Sequence, residues 1–163
     1  HVGADDTAAD LAYEAWSADR DAGLDSILIA ATNPRVAELN ERARLDRLKR
    51  ENTRVGRTVT LSNGLTASAG DWIATRSNAR WLRTESGKWV KNGQRWRIVR
   101  VGRDGSLTVR PLRGKSFKDV RLPAKYIAEH VTLGYASTIN TNQGTTADIA
   151  RVVGSDELTR EAL

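Results

Sequence analysis

The chain contains no cysteine, so disulfides and thiolate metal sites are excluded. Its two histidines, His1 and His130, are too few and too far apart to suggest a metal cluster. No apolar run approaches the roughly 20 residues that a membrane-crossing helix needs. No secretory signal is visible, so cytoplasmic residence without a membrane partner is the default expectation. What is present is 163 residues, 39% hydrophobic and 28% charged, which fits one ordinary domain or two small ones with a modest core.

Charge is unevenly distributed. Residues 1–25 carry seven Asp/Glu and one Arg, whereas residues 79–125 carry fourteen Lys/Arg and three Asp/Glu, a local excess of 14 − 3 = +11. An acidic start and a basic middle fit a polyanion partner for the middle, and fit a solvated basic surface equally well.

Periodicity predicts a helix over 8–22, capped by Asp6 or Thr7, with Leu11, Ala12, Ala15 and Trp16 on one face and Gly23 as its stop. The apolar run Ser26 to Ala31 reads as a buried parallel strand. Thr32 or Asn33 then caps a second helix with Pro34 in its first turn and Val36, Leu39, Ala43 and Leu48 as its apolar stripe, fading near Asn52. This is a strand–turn–helix unit of an α/β sheet. From Val55 the pattern becomes short strands and tight turns, with Asn63-Gly64, Ala69-Gly70-Asp71 and the hairpin signal Asp104-Gly105, as in a small SH3-like or OB-like barrel. After Pro123 a helical turn at Lys125 to Ile127, a strand from Val131 to Ile139 and a second strand at Ile149 to Val153 return to the α/β pattern. Residues 158–163 begin a helix that the chain does not finish.

The stretch from Gly134 to Asp148 carries the most chemistry. Thr138 closes a strand, and Gln143-Gly144 opens the following turn. Hydroxyls, amides and exposed backbone N–H groups there can hold phosphate oxygens without positive charge, and an ordinary polar strand–helix turn has the same composition. The stretch resembles motif V of superfamily 1 helicases of the RecD/TraI branch, Thr-x-His-x-x-Gln-Gly, with Asn140 in the place of the histidine. Asparagine donates and accepts hydrogen bonds but neither changes charge near neutrality nor stacks like an imidazole. Upstream, Ala30-Ala31-Thr32-Asn33 followed by Leu39-Asn40 and Arg44 resembles the segment that opens the second motor domain of the same branch. The two segments around a β-rich insertion look most like the TraA/TrwC relaxase-helicases of conjugative plasmids.

The resemblance implies an α/β chain: a partial RecA-like second motor domain with an inserted small SH3-like β-barrel. Its parts are 1–54, an acidic helix plus the first strand–helix unit; 55–124, the inserted module; and 125–163, the return with the motif V-like segment. It further implies contact with single-stranded DNA, and a parent chain that binds ATP and Mg²⁺ and carries a relaxase domain. Conjugation-machinery proteins are further partners on that reading. Within the fragment no cofactor, metal or catalytic residue is expected. Thr32, Asn33, Thr138, Asn140, Gln143 and Gly144 are the expected DNA contacts, with Arg80, Arg83, Arg95 and Arg97 tracking phosphates. For Thr32 and Asn33 simple helix capping is an equal alternative.

Other features lead elsewhere. Gly114-Lys115-Ser116 mimics the end of a phosphate-binding loop, but Val109 stands where that motif needs its first glycine. Asp156-Glu157 reads as a helix cap rather than a Mg²⁺-holding pair. Trp72 and Trp96 read as core, whereas Trp81 and Trp89 fit either a core or a base-stacking role. Two rival readings stand beside the relaxase-helicase: a non-catalytic β-barrel that binds another protein, and a RecD-type repair helicase fragment without a relaxase.

Overall fold

The computed structural model describes residues 4–52, 54–83, 89–113, 119–138 and 147–153 of a mixed α/β chain. Helix α1 (Ala4–Asp21) begins earlier than the sequence pattern predicts, so Asp6 and Thr7 lie inside it rather than capping it. Its buried face is Ala9, Tyr13 and Trp16, while Leu11 is 63% exposed. Trp16 is buried as expected, and the face turns from Leu11 toward Ala9 and Tyr13, whose ring buries more surface than a leucine. Gly23, at φ +77°, ends the turn after the helix.

Strand β1 (Ser26–Ala30) is buried at every position, as a strand covered on both faces must be. Helix α2 (Asn33–Glu51) follows, with Thr32 as N-cap, Pro34 in the first turn and Asn52 in the left-handed conformation as C-cap. Its buried positions are Leu39, Asn40, Ala43 and Arg47, so two polar side chains share the core-facing stripe.

The middle of the chain is antiparallel. Hairpin β2 (Thr58–Thr60) with β3 (Thr66–Ser68) precedes β4 (Trp72–Thr75), and β5 (Ala79–Arg83) pairs with β6 (Trp89–Val90). Then come β7 (Arg95–Val101), β8 (Leu107–Pro111), β9 (Val120–Leu122), α3 (Ala124–His130) and β10 (Val131–Leu133). They build a five-stranded sheet in the order β10-β4-β7-β8-β9. Its inner face alternates Ile73, Trp96, Ile98, Leu107, Val109, Val120 and Leu122, all buried. The β7–β8 connection is a five-residue loop, 102–106, with Gly105 at φ +84°, rather than a two-residue hairpin.

The expected single strand from Val131 to Ile139 is two strands in two sheets. β10 closes the antiparallel sheet against β4, whereas β11 (Ala136–Thr138) lies parallel to β1. The antiparallel pairing therefore continues to Leu133, beyond the boundary at 124 expected from the sequence. The change of sheet falls at Gly134-Tyr135. A Cβ on Gly134 would meet the Ile73 carbonyl carbon and oxygen at 2.7 Å, so only glycine lets the chain pass that close. β12 (Ile149–Val152) completes a parallel sheet in the order β11-β1-β12.

An aromatic cluster joins the two sheets. Trp16 meets Trp72 and Tyr135 edge-on at 6.0 and 5.8 Å, and Trp72 stacks on Tyr135 at 5.4 Å. The Trp16 indole N–H donates to the Ser26 carbonyl at 2.9 Å, satisfying the one polar atom of a fully buried ring.

Candidate functional site

Parallel strands place their carboxyl ends along one edge, where open α/β sheets bind ligands. Here Ala30 at the end of β1 is in register with Thr138 at the end of β11, and Ile29 with Val152 at the end of β12. Two residues past Ala30, exposed Thr32 adopts extended backbone (φ −127°, ψ 151°), and its hydroxyl accepts the Arg35 N–H at 3.3 Å. Asn33 begins α2 and is also exposed. The first turn of α2 carries no acidic residue, so no carboxylate competes for its positive dipole end. Thr32, Asn33 and Thr138 thus meet at one edge. Asn140, Gln143 and Gly144 follow Thr138 in sequence and lie outside the described residues.

The basic candidates occupy other ground. Arg80 on β5 and Arg97 on β7 are exposed, and Arg83 ends β5. Arg95, expected to track phosphates, does not reach solvent: its side chain is 2% exposed. Its guanidinium donates to Asp25 at 2.6 Å, to the Gly134 carbonyl at 3.0 Å and to the Ser26 carbonyl at 3.1 Å. Burial lowers its pKa, and the Asp25 carboxylate opposes that fall. Arg95 is a strut that fastens β7 to the amino end of β1. Arg113 adds bonds to Asp25 at 3.1 Å and to Asp148 at 2.8 Å. The amino end of β1 is about 13 Å from its carboxyl end at the usual rise per residue. Arg95 is thus held at the opposite end of β1 from Thr32, Asn33 and Thr138, and Arg80 and Arg83 lie on the separate β5–β6 sheet, so the expected contacts do not form one site.

A second charged joint was not read from the sequence. The Asp71 carboxylate is fully buried, yet it accepts from Tyr135 Oη at 2.7 Å, from Arg44 Nε and the Ser68 N–H at 2.9 Å, and from Arg47 Nε at 3.2 Å. Burial, then the neighbouring carboxylate, holds the Tyr135 phenol far above its ordinary value. Asn40 completes the joint: its carbonyl oxygen accepts the N–H groups of Tyr135 and Ala136 at 3.0 and 2.8 Å, and its amide donates to the Ala136 carbonyl at 3.3 Å. The segment Leu39-Asn40 with Arg44, singled out by resemblance, thus seats β11 and the β3–β4 turn. An Arg-x-x-Arg spacing on one helix face was the only sequence signal for this joint.

Trp96 is buried as expected, Trp72 is half-buried, and Trp81 is 67% exposed with its ring edge-on to Tyr126 at 6.2 Å. His130 ends α3 with its ring beside that of Tyr126. Among the described residues no group of three or more His, Asp or Glu can hold a metal ion. The residues present do not fit an ATP phosphate cradle: Val109 is buried in the middle of β8, where that motif needs a loop glycine. Gly114-Lys115-Ser116 and Asp156-Glu157 lie outside the described residues.

No family model matches the chain. Two uncharacterized proteins of Mycobacterium tuberculosis, one from strain CDC 1551 and one from strain H37Rv, are each 34% identical to it over 74 residues. The match covers 45% of this chain and 42% of each relative, so it spans less than half the length of either.

Proposed function

We propose that the chain is a fragment of an ATP-dependent DNA helicase/relaxase of conjugative transfer, contributing contact with single-stranded DNA during translocation. On this reading the parallel sheet with α1 and α2 is part of a RecA-like second motor domain, and the antiparallel module is an SH3-like insertion. ATP and Mg²⁺ are bound by the remainder of the parent chain.

The observation that carries the reading is the register of Ala30 with Thr138, which brings the α2 cap and the strand leading into the motif V-like segment to one carboxyl edge. That edge offers hydroxyls, an amide and a helix N-terminus, the groups that position a phosphate backbone without reading sequence. Fluorescence anisotropy with an oligothymidylate tests it, comparing the chain with Gln143→Ala and Asn33→Ala. Weaker binding by both variants at unchanged thermal midpoint supports the reading, and unaltered affinity refutes it. Absence of binding at low salt favours the protein-contact module instead, for which exposed Trp81 is the specific observation.

A further inference from the structure

The antiparallel sheet has a second face. Residues opposite one another in register share a face, and on this sheet Trp72 faces Arg97, Arg97 faces Arg110, Arg100 faces Thr108, and Thr108 faces Arg121. Thr108 and Arg110 are two apart on β8, so both rows lie on the same side. The register shift between Ile98 and Arg100 returns Arg100 to that side after Arg97. One end of this face, with Trp72 and Arg95, docks against Tyr135 and the start of β1. The other end is a shelf of four arginines.

The charges on the shelf are not balanced internally. Arg110 pairs with Asp119 at 2.9 Å and Arg121 with Asp104 at 2.5 Å. Arg97 has no ion pair or hydrogen bond among the described residues, and Arg100 reaches only the Thr108 hydroxyl, at 3.5 Å. Like charges directly opposite on neighbouring strands destabilise a sheet, so placing Arg97 against Arg110 is costly for the isolated fold. An external anion removes that cost. All four cations are guanidiniums, whose planar fork matches phosphate oxygens in pairs.

We propose that this shelf, Arg97, Arg100, Arg110 and Arg121 around Thr108, is a binding site for the phosphodiester backbone of a single nucleic-acid strand. The inference rests on the reading that the chain binds DNA, but it locates contact away from the Thr32–Thr138 edge. Arg95, the preceding residue on this face of β7, points to the amino end of β1.

The test is the salt dependence of oligothymidylate binding between about 50 and 200 mM salt. Each phosphate contact on a single strand contributes about 0.7 to the log–log slope, so Arg97→Gln/Arg100→Gln is expected to flatten it by about 1.4. Both residues are exposed, so the thermal midpoint serves as the folding control. Arg97→Lys/Arg100→Lys is expected to restore the slope. An unchanged slope in the Gln variant overturns the proposal. So does displacement of the oligonucleotide by poly-glutamate at equal charge, which would make the shelf a site for an acidic protein. Loss through Gln143→Ala with no effect of the arginine pair sinks the shelf alone. The converse sinks the edge alone, and no binding by the parent chain sinks both.

Discussion

The phenol of Tyr135 donates a 2.7 Å hydrogen bond to a carboxylate, Asp71, that is wholly buried and lies 64 positions earlier in the chain. Tyr135 is the residue at which the chain leaves the antiparallel sheet for the parallel one, and Asp71 is the residue that leads into β4. Their bond, with Arg47 on the same carboxylate oxygen and Arg44 on the other, locks the two sheets in one relative placement. Tyr135→Phe removes one donor from a carboxylate that keeps its two arginines and is expected to cost about 1–3 kcal/mol. Asp71→Ala takes the buried carboxylate from two nearly buried guanidiniums, leaving Arg47 to Glu51 and Arg44 to the Ser68 hydroxyl, and is expected to cost about 3–5 kcal/mol. Urea denaturation of the two variants checks both the direction and the ranking.

Arg95 and Arg97 are two residues apart and of the same type, yet their substitutions are expected to behave oppositely. Arg95→Ala leaves Asp25 without its closest cation and the Gly134 carbonyl without its guanidinium donor, so a loss of about 3–5 kcal/mol is expected. Arg97→Thr removes an exposed cation opposite another arginine, and stability should stay within about 0.5 kcal/mol. Thermal melting separates the two, and equal midpoints would contradict the assignment of Arg95 as a strut.

Gly134→Ala is expected to destabilise by about 1–3 kcal/mol, because its Cβ would press on backbone rather than on a side chain able to swing away. The same change at Gly56, where a Cβ meets nothing, serves as the control. A melt in which both variants match the parent would refute the close passage of β10 beside β4.

All three tyrosines, Tyr13, Tyr126 and Tyr135, hold their protons more tightly than free phenol, in each case chiefly through burial. Unfolded phenols ionise near about pH 10. The stabilisation is therefore intact below that value and falls as pH rises above it, since only the unfolded chain then releases protons. Tyrosinate absorbance is expected to appear together with the loss of circular dichroism. A phenol titrating near its ordinary value in the still-folded protein would contradict this.

Local chemistry made part of the architecture legible. The apolar run of β1, the Thr32-Asn33-Pro34 start of α2 and the alternating strands of the middle each carry their own signal. Sheet membership does not: Val131 to Ile139 reads as one strand, and only the distant partners β4 and β1 divide it. The glycine inside that run was the available clue, since an isolated strand glycine marks a bulge or a close backbone approach. Arg95 and Arg97 lie two apart on β7 and share a face, as strand alternation requires. What alternation could not supply was where the amino end of β1 would come to rest against that face. Asp71 reads as a turn residue because its arginine partners lie on α2 and its tyrosine lies beyond eight further strands and helices. Of the carboxyl-edge candidates, Thr32, Asn33 and Thr138 converge, and Asn140, Gln143 and Gly144 are outside the described residues.

The pairing of β1 with β11 also dictates an order of events during folding. Leu28 is joined to Ala136 across more than a hundred residues, whereas neighbours such as β7 and β8 meet through a five-residue loop. Closing the longer loop is entropically dearer before any contact rewards it. The antiparallel hairpins are therefore expected to form first and to carry the ends of the intervening chain toward each other. The parallel sheet then zips last, and Asn40, bonded to the backbone of β11, acts as the latch that holds it shut.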